Sequence, residues 1–290
     1  MPAKPARIPV VAFQGVHGAN SEQAIRQHYG NSVDTLPCDT FTDIFKAVES
    51  GSATYGMLPV ENSLAGAVAN SYEVLMDYDL RIQAEVVFRV RYSLLAAPGT
   101  ALTDVKRAMS HPQALAQCAR YLTRRNIEPV AWFDTAGSAR DLAAHPEANT
   151  AAIAPPLAGK LYHLETLEQG IEDESFNYTR FFVVGHGDPQ PGERNKTSIV
   201  FAVYDRAGAL YNCLGEFATR NINMNKIESR PRRNKPWQYH FYVDFDGHFT
   251  EPHCEAALMA VLRQASMLKI LGSYPVGSPP EEENGDRSKS

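Results

Sequence analysis

The apolar positions along the chain keep two different rhythms. In the first, short apolar runs alternate with stretches of helical period. Residues 10–13, 32–36 and 54–58 read as strands, and 21–28 and 43–49 as the helices between them. The rhythm continues with a helix over 112–124, a strand near Val130, a helix over 136–144 and a strand over 151–153. This βα alternation predicts a mostly parallel sheet covered by helices on both faces. Residues 80–96 carry nearly continuous strand signal with few breakers, and 175–184 carry another such stretch. Two crossings of this kind would join two α/β lobes, 8–85 with 175–185 and 86–174, and leave a small-ligand cleft between them.

The second rhythm follows a linker by composition, 185–195 (GHGDPQPGERN). Strand 197–203, helix 208–219, strands 223–228 and 238–245, helix 253–267 and strand 268–271 follow in order. The order βαββαβ is the ferredoxin-like unit, here spanning 197–274. Residues 275–290 are rich in Pro, Glu, Ser and Gly, hold almost nothing to bury, and are expected to be a disordered tail.

Composition narrows the class without naming a function. A chain of 290 residues is expected to split into two or three domains. Its 44% hydrophobic and 21% charged residues are ordinary for a globular protein. A net charge of −5 makes no electrostatic case for nucleic acid or an anionic membrane as partner. The longest apolar runs are too short to cross a bilayer. Residues 1–9 lack the apolar core of a secretory signal. Cys38, Cys118, Cys213 and Cys254 are scattered, with no CxxC and no tight His/Cys cluster. They read as idle thiols of a reducing cytoplasm, and no metal site is expected.

Four segments could carry chemistry. Residues 15–22 (GVHGANSE) follow a strand and open a helix. Asn20 or Ser21 can cap that helix, and its free N–H groups favour an anion. Ser110-His111-Pro112-Gln113 also precedes a helix, with Ser110 as N-cap and Gln117 on the face of Gln113. Thr135 stands in the same way before the 136–144 helix. Three such helix starts at strand ends could converge on one anionic ligand. Pro59-Val60-Glu61-Asn62-Ser63 places a carboxylate, an amide and a hydroxyl after a buried strand. Asn177-Tyr178-Thr179-Arg180-Phe181 opens the returning strand, and alternation puts Thr179 and Arg180 on opposite faces. Each segment also has a plain reading as a cap or a strand start. His17, His28, His111, His145, His163 and His186 show no ligand spacing, and no G-x-S-x-G is present.

In this order the segments resemble prephenate dehydratase of the monofunctional kind, from about residue 9 to 274. Glu228-Ser229-Arg230-Pro231 joins the three segments 59–63, 110–113 and 177–181 in carrying that resemblance. It implies an α/β fold, with a two-lobed catalytic region like that of periplasmic binding proteins and a C-terminal ACT domain that binds phenylalanine. It implies a homodimer through ACT domains, possibly a dimer of dimers, and no cofactor. The sequence departs from the family at Ala19-Asn20, where Thr-Phe or Ala-Tyr is usual, at Ala207 in place of proline, and at Asn225 in place of Thr.

The implied reaction is loss of CO₂ and water from prephenate to give phenylpyruvate. Thr179 would serve the leaving hydroxyl, with Asn62, Gln117 and Ser110 as further catalytic groups. Ser21, Glu61, Ser63, His111, Gln113, Thr135, Arg180 and Phe181 would surround the substrate. Gly208, Ala209, Leu210, Asn223, Glu228, Ser229 and Arg230 would form the effector site. Arogenate dehydratase and a non-catalytic amino-acid sensor are the rival readings.

Overall fold

The computed structural model describes residues 8–232 and 235–277. The chain opens with β1 (Val10–Gln14), α1 (Asn20–Tyr29), β2 (Asp34–Cys38) and α2 (Phe41–Glu49). β3 (Tyr55–Asn62), the short β4 (Gly66–Ala67), α3 (Ala69–Asp77) and β5 (Arg81–Arg89) follow. The next group is β6 (Ser93–Ala96), β7 (Arg107–Ser110), α4 (Pro112–Gln117), α5 (Ala119–Arg125), β8 (Glu128–Ala131) and α6 (Thr135–Ala144). It ends with β9 (Thr150–Ala154), α7 (Pro156–Leu161) and β10 (Glu165–Gln169), after which β11 (Tyr178–Gly185) returns. Last come β12 (Asn195–Val203), α8 (Ala209–Ala218), β13 (Met224–Arg232), β14 (Lys235–Asp246), α9 (Pro252–Gln264) and β15 (Ala265–Pro275).

Three sheets result. The first has the order β2-β1-β3-β11-β5, with β4 added to β3. Its β1 pairs in parallel with both β2 and β3, as βα crossovers require. The second has the order β10-β6-β9-β7-β8 and is mixed: β7 is parallel to β8 and β9, while β6 is antiparallel to β9 and β10. The third, β13-β14-β12-β15, pairs its neighbours antiparallel.

Local chemistry explains the helix starts. Thr40 accepts the Asp43 N–H at 3.2 Å and donates its hydroxyl to the Asp43 carboxylate at 2.6 Å, fixing the start of α2. Neither Asn20 nor Ser21 caps α1: Ala19 is the N-cap and offers no side-chain bond. Buried Glu22 reaches back instead and takes the Gly18 N–H at 2.7 Å. A Cβ at Gly18 would lie 2.8 Å from Cα of Ala158, so only glycine allows this approach of α1 to α7. His111, not Ser110, caps α4, its Nδ1 accepting from Gln113 N at 3.2 Å. Asp134, not Thr135, caps α6, and Thr135 is the first helical residue.

Other expectations are corrected in extent. The helix over 112–124 breaks at Cys118, whose φ of −118° and ψ of 16° end α4 before α5 begins. The helix over 253–267 stops at Gln264, and β15 claims the rest through pairing with β12 from Val203↔Ala265 to Asn195↔Pro275. Pro275 is thus strand rather than tail, and 278–290 lie outside the described residues. α3, α7 and β10 have no counterpart in the reading, because short or polar segments leave little periodicity.

Two compact units form. One holds 8–74 and Val86–Phe181, with the core of the second sheet built from Leu95, Met109, Ala152 and Ala154. The other holds Leu75–Glu85 and Phe182–Gly277. Residues 75–85, read from sequence as part of the first lobe, are held there by charge-assisted hydrogen bonds and one ion pair. The Lys269 ammonium donates to the carbonyls of Leu75, Met76 and Tyr78 around the end of α3. Lys196 pairs with buried Glu85 at 2.8 Å.

Candidate active site

β3 ends where its neighbour β11 starts, at one end of the first sheet, and this sets Asn62 beside Asn177 and Thr179. The Asn62 amide is oriented by the turn that follows it. Its Oδ1 accepts the N–H groups of Leu64 at 3.0 Å and Ala65 at 2.9 Å. Its Nδ2 is thereby aimed at β11, where it donates to Asn177 Oδ1 at 2.8 Å, the Tyr178 carbonyl at 3.1 Å and Thr179 Oγ1 at 3.0 Å. Asn177, almost fully buried, donates onward to Gln117 Oε1 at 2.9 Å. Gln117 lies at the end of α4, in the second lobe. The result is one directed chain, Thr179–Asn62–Asn177–Gln117.

Direction decides what the chain can do. The Thr179 oxygen accepts from Asn62, and Asn62 is its partner among the described residues. The Thr179 proton is therefore left to donate outward. An oxygen that already accepts a hydrogen bond makes a stronger donor, because each bond polarises the next. A cavity of about 220 Å³ opens beside Gln117, Asn177 and Leu64, with Arg120 and the acidic run Glu172, Asp173 and Glu174 on its wall. Arg120 bonds Glu174 at 2.8 Å and lies 3.7 Å from Asp173, which offsets part of that negative charge.

Those distances place a polar cavity, with amides on one side and carboxylates on the other, beside motif residues, and comparison with known proteins supplies the rest. The family model described as prephenate dehydratase matches residues 11–189. Arogenate dehydratase 1 of Petunia hybrida is 42% identical over 288 residues, covering 93% of this chain and 68% of that relative. The chain belongs to the prephenate dehydratase family. It is accordingly a dehydratase of the lyase class. Among solved structures, the prephenate dehydratase of Arthrobacter aurescens in complex with L-Phe is 32% identical with a TM-score of 0.84, covering 91% of this chain and 89% of that one. The quorum-quenching acylase GqqA is 37% identical with a TM-score of 0.87, covering 93% and 98%.

The family motifs do not all reach the cluster. Ser110 is fully buried, and its hydroxyl donates to the Ile153 carbonyl at 2.6 Å, tying β7 to β9. Ser63 donates to the Phe176 carbonyl and accepts the Tyr178 N–H, so it stitches the turn to β11. Phe181 is core. Glu61 and Arg180 alternate away from Asn62 and Thr179 and lie 3.8 Å from each other. Ser21, Gln113 and Thr135 sit in the first turns of α1, α4 and α6, and His111 is occupied as a cap. Asn177 is not among the site residues expected from sequence, although its place two positions before Thr179, just ahead of β11, is the spacing that puts side chains on one side of an extended chain.

Glu22 anchors the glycine segment. Burial alone would raise its carboxyl, but the Gly18 N–H, Arg26 at 2.7 Å and nearby His17 outweigh this and hold it below its ordinary value.

In the C-terminal unit, Gly208 caps α8 in the left-handed region, with φ of 78°. Glu228 pairs with Arg230 at 2.8 Å on one face of β13. Ser229 stands opposite Phe241, which packs on the helix-side core, so it lies on the other face from Glu228 and Arg230. Of the residues expected at the effector site, Glu228 and Arg230 thus share a face of β13 and Ser229 takes the other.

Proposed function

We propose that the protein converts prephenate to phenylpyruvate with loss of water and CO₂. The observation that carries this is the Thr179 hydroxyl, whose oxygen is held by Asn62 and whose proton is free. Aromatisation drives the reaction, so the protein must hold a dicarboxylate and help the ring hydroxyl leave. Thr179 donates to that departing hydroxyl. Asn62 and Asn177 aim it rather than touch substrate, because their own groups are taken. The Gln117 amide N–H₂, whose Oε1 is held by Asn177, is the next donor toward the cavity. Neutral donors suit the carboxylate that must depart, since a tight ionic grip would stabilise the ground state. Feedback by phenylalanine belongs to the same proposal. It is supported by the L-Phe complex of the Arthrobacter aurescens relative and by the βαββαβ order of the C-terminal unit. So does pairing of two copies through that unit.

Arogenate, the transaminated substrate, is the second reading, favoured by the naming of the Petunia hybrida relative. Purified protein given prephenate or arogenate in parallel, with phenylpyruvate and phenylalanine followed by absorbance and chromatography, ranks the two. Turnover of prephenate, slowed by added phenylalanine, is the expected result. Turnover of neither substrate would overturn the proposal.

A further inference from the structure

The loop from β14 into α9 reads Asp246-Gly247-His248-Phe249-Thr250-Glu251-Pro252-His253-Cys254. We propose that Glu251, His253 and Cys254 bind a divalent transition-metal ion of the zinc class, with one position left for water.

Two features of the geometry carry this. The first is the donor set. One carboxylate oxygen, one imidazole nitrogen and one sulfur lie within 4.8 Å of one another, with His253 Nε2 3.7 Å from Glu251 Oε2. The second is the space they share. A Cβ built on Gly247 would stand 2.6 Å from Cys254 Sγ, 3.6 Å from Glu251 Oε2 and 3.8 Å from His253 Nε2. All three donors therefore face one small volume that a side chain at 247 would fill and glycine keeps open. Gly247 also has φ of 113°, so its identity serves the turn and the opening together.

Zinc sits about 2.0–2.3 Å from such ligands, so the donors must draw in by about 1–1.5 Å. The burdens divide sensibly. Cys254 is fully buried and fixed in the core, while His253 and Glu251 are about half exposed at 50% and 41% and can rotate inward. Glu251 is already oriented, since its other oxygen takes the His248 N–H at 2.6 Å. Thiolate with imidazole selects zinc-class ions over magnesium or calcium. On binding, the S–H bond breaks, the sulfur–metal bond forms and the proton passes to water. The start of α9 favours the resulting thiolate and the carboxylate. His248, in the same loop, keeps a buried Nε2 without a partner among the described residues.

The site also has an outlet. The Cys254 thiol lies 4.0 Å from the Asp246 carbonyl, and the Asp246 carboxylate takes Asn223 Nδ2 at 3.0 Å. A metal would brace the turn on which Asn223 depends.

The test uses the full chain, stripped with chelator and titrated with Co²⁺. A thiolate-to-cobalt charge-transfer band that saturates at one equivalent and is displaced by Zn²⁺ is the expected result. Cys254→Ser should abolish the band and Cys38→Ser should keep it. His253→Ala, at a half-exposed position that folding tolerates, should weaken Co²⁺ by at least the about 10–100-fold that loss of an outer-shell partner costs. It decides the matter should Cys254→Ser fail to fold. No band at millimolar Co²⁺, a band lost in Cys38→Ser, or unchanged affinity in His253→Ala would each overturn the proposal.

Discussion

The first lobe and the second lobe bring unequal things to the cluster. The strand ends of the first, β3 and β11, supply Asn62, Asn177 and Thr179, a network in which every amide is used and one hydroxyl proton is left over. The second offers a motif of equal prominence, Ser110 to Gln113, yet it spends Ser110 on the Ile153 carbonyl and His111 on a cap. Only Gln117, one turn further along, reaches the network. The difference teaches that a motif residue becomes chemical where the fold leaves it a donor without an acceptor. Where the fold supplies the acceptor, the same residue type is architecture.

The sharpest way to break this contrast is at Thr179. Thr179→Val keeps the shape and removes the proton, and turnover of prephenate should fall by about 10²–10⁴-fold, the usual worth of general acid help, with an unchanged far-UV circular dichroism spectrum. Thr179→Ser should recover most of the loss.

A smaller effect belongs to Glu22, which anchors the first lobe at Gly18. Its folded-state carboxyl is held below its ordinary value, so its stabilisation is present above the unfolded pKa and lost as pH falls through the folded one. Glu22→Gln should therefore lower stability by about 1–3 kcal/mol at neutral pH, the worth of hydrogen bonds to a charged group. The gap from wild type should begin to narrow in urea melts as pH falls below the unfolded carboxyl value of about 4.3 and should close once pH is below the depressed folded value. A gap that persists there would show that the carboxylate charge is not what holds the turn.

The smallest effect belongs to Ser110. Ser110→Ala loses one buried hydrogen bond, costs about 1 kcal/mol of stability, and leaves turnover within about threefold. A loss of turnover far beyond this would restore Ser110 to the chemistry and break the contrast between lobes.

Much of the fold was legible because it rests on period. The alternation through 10–58 and the βαββαβ order after 197 are written in apolar spacing. What the spacing hid is tertiary. β15 outcompetes the end of α9 because β12 offers Ala265 a partner, and no local signal announces that. The break at Cys118 is equally silent. At the site, the motifs named Asn62, Gln117 and Thr179, which the fold joins in one hydrogen-bonded chain through Asn177, and alternation along β11 predicts different partners for Thr179 and Arg180, as Asn62 and Glu61 are. Hydrogen-bond direction is what sequence lacks. Nothing in the string Glu61-Asn62-Ser63 says that Asn62 donates to Thr179 while Ser63 is consumed by the backbone of Phe176 and Tyr178.

The central claim is that Asn62 acts through Thr179, by holding its oxygen so that its proton points outward. A double-mutant cycle in prephenate turnover tests it most directly. Asn62→Ala and Thr179→Val should each slow the reaction, and the double variant should match Thr179→Val alone to within about threefold, since residues that act as a unit are non-additive. Losses that multiply in the double variant would mean that Asn62 and Thr179 act separately, and would contradict the account.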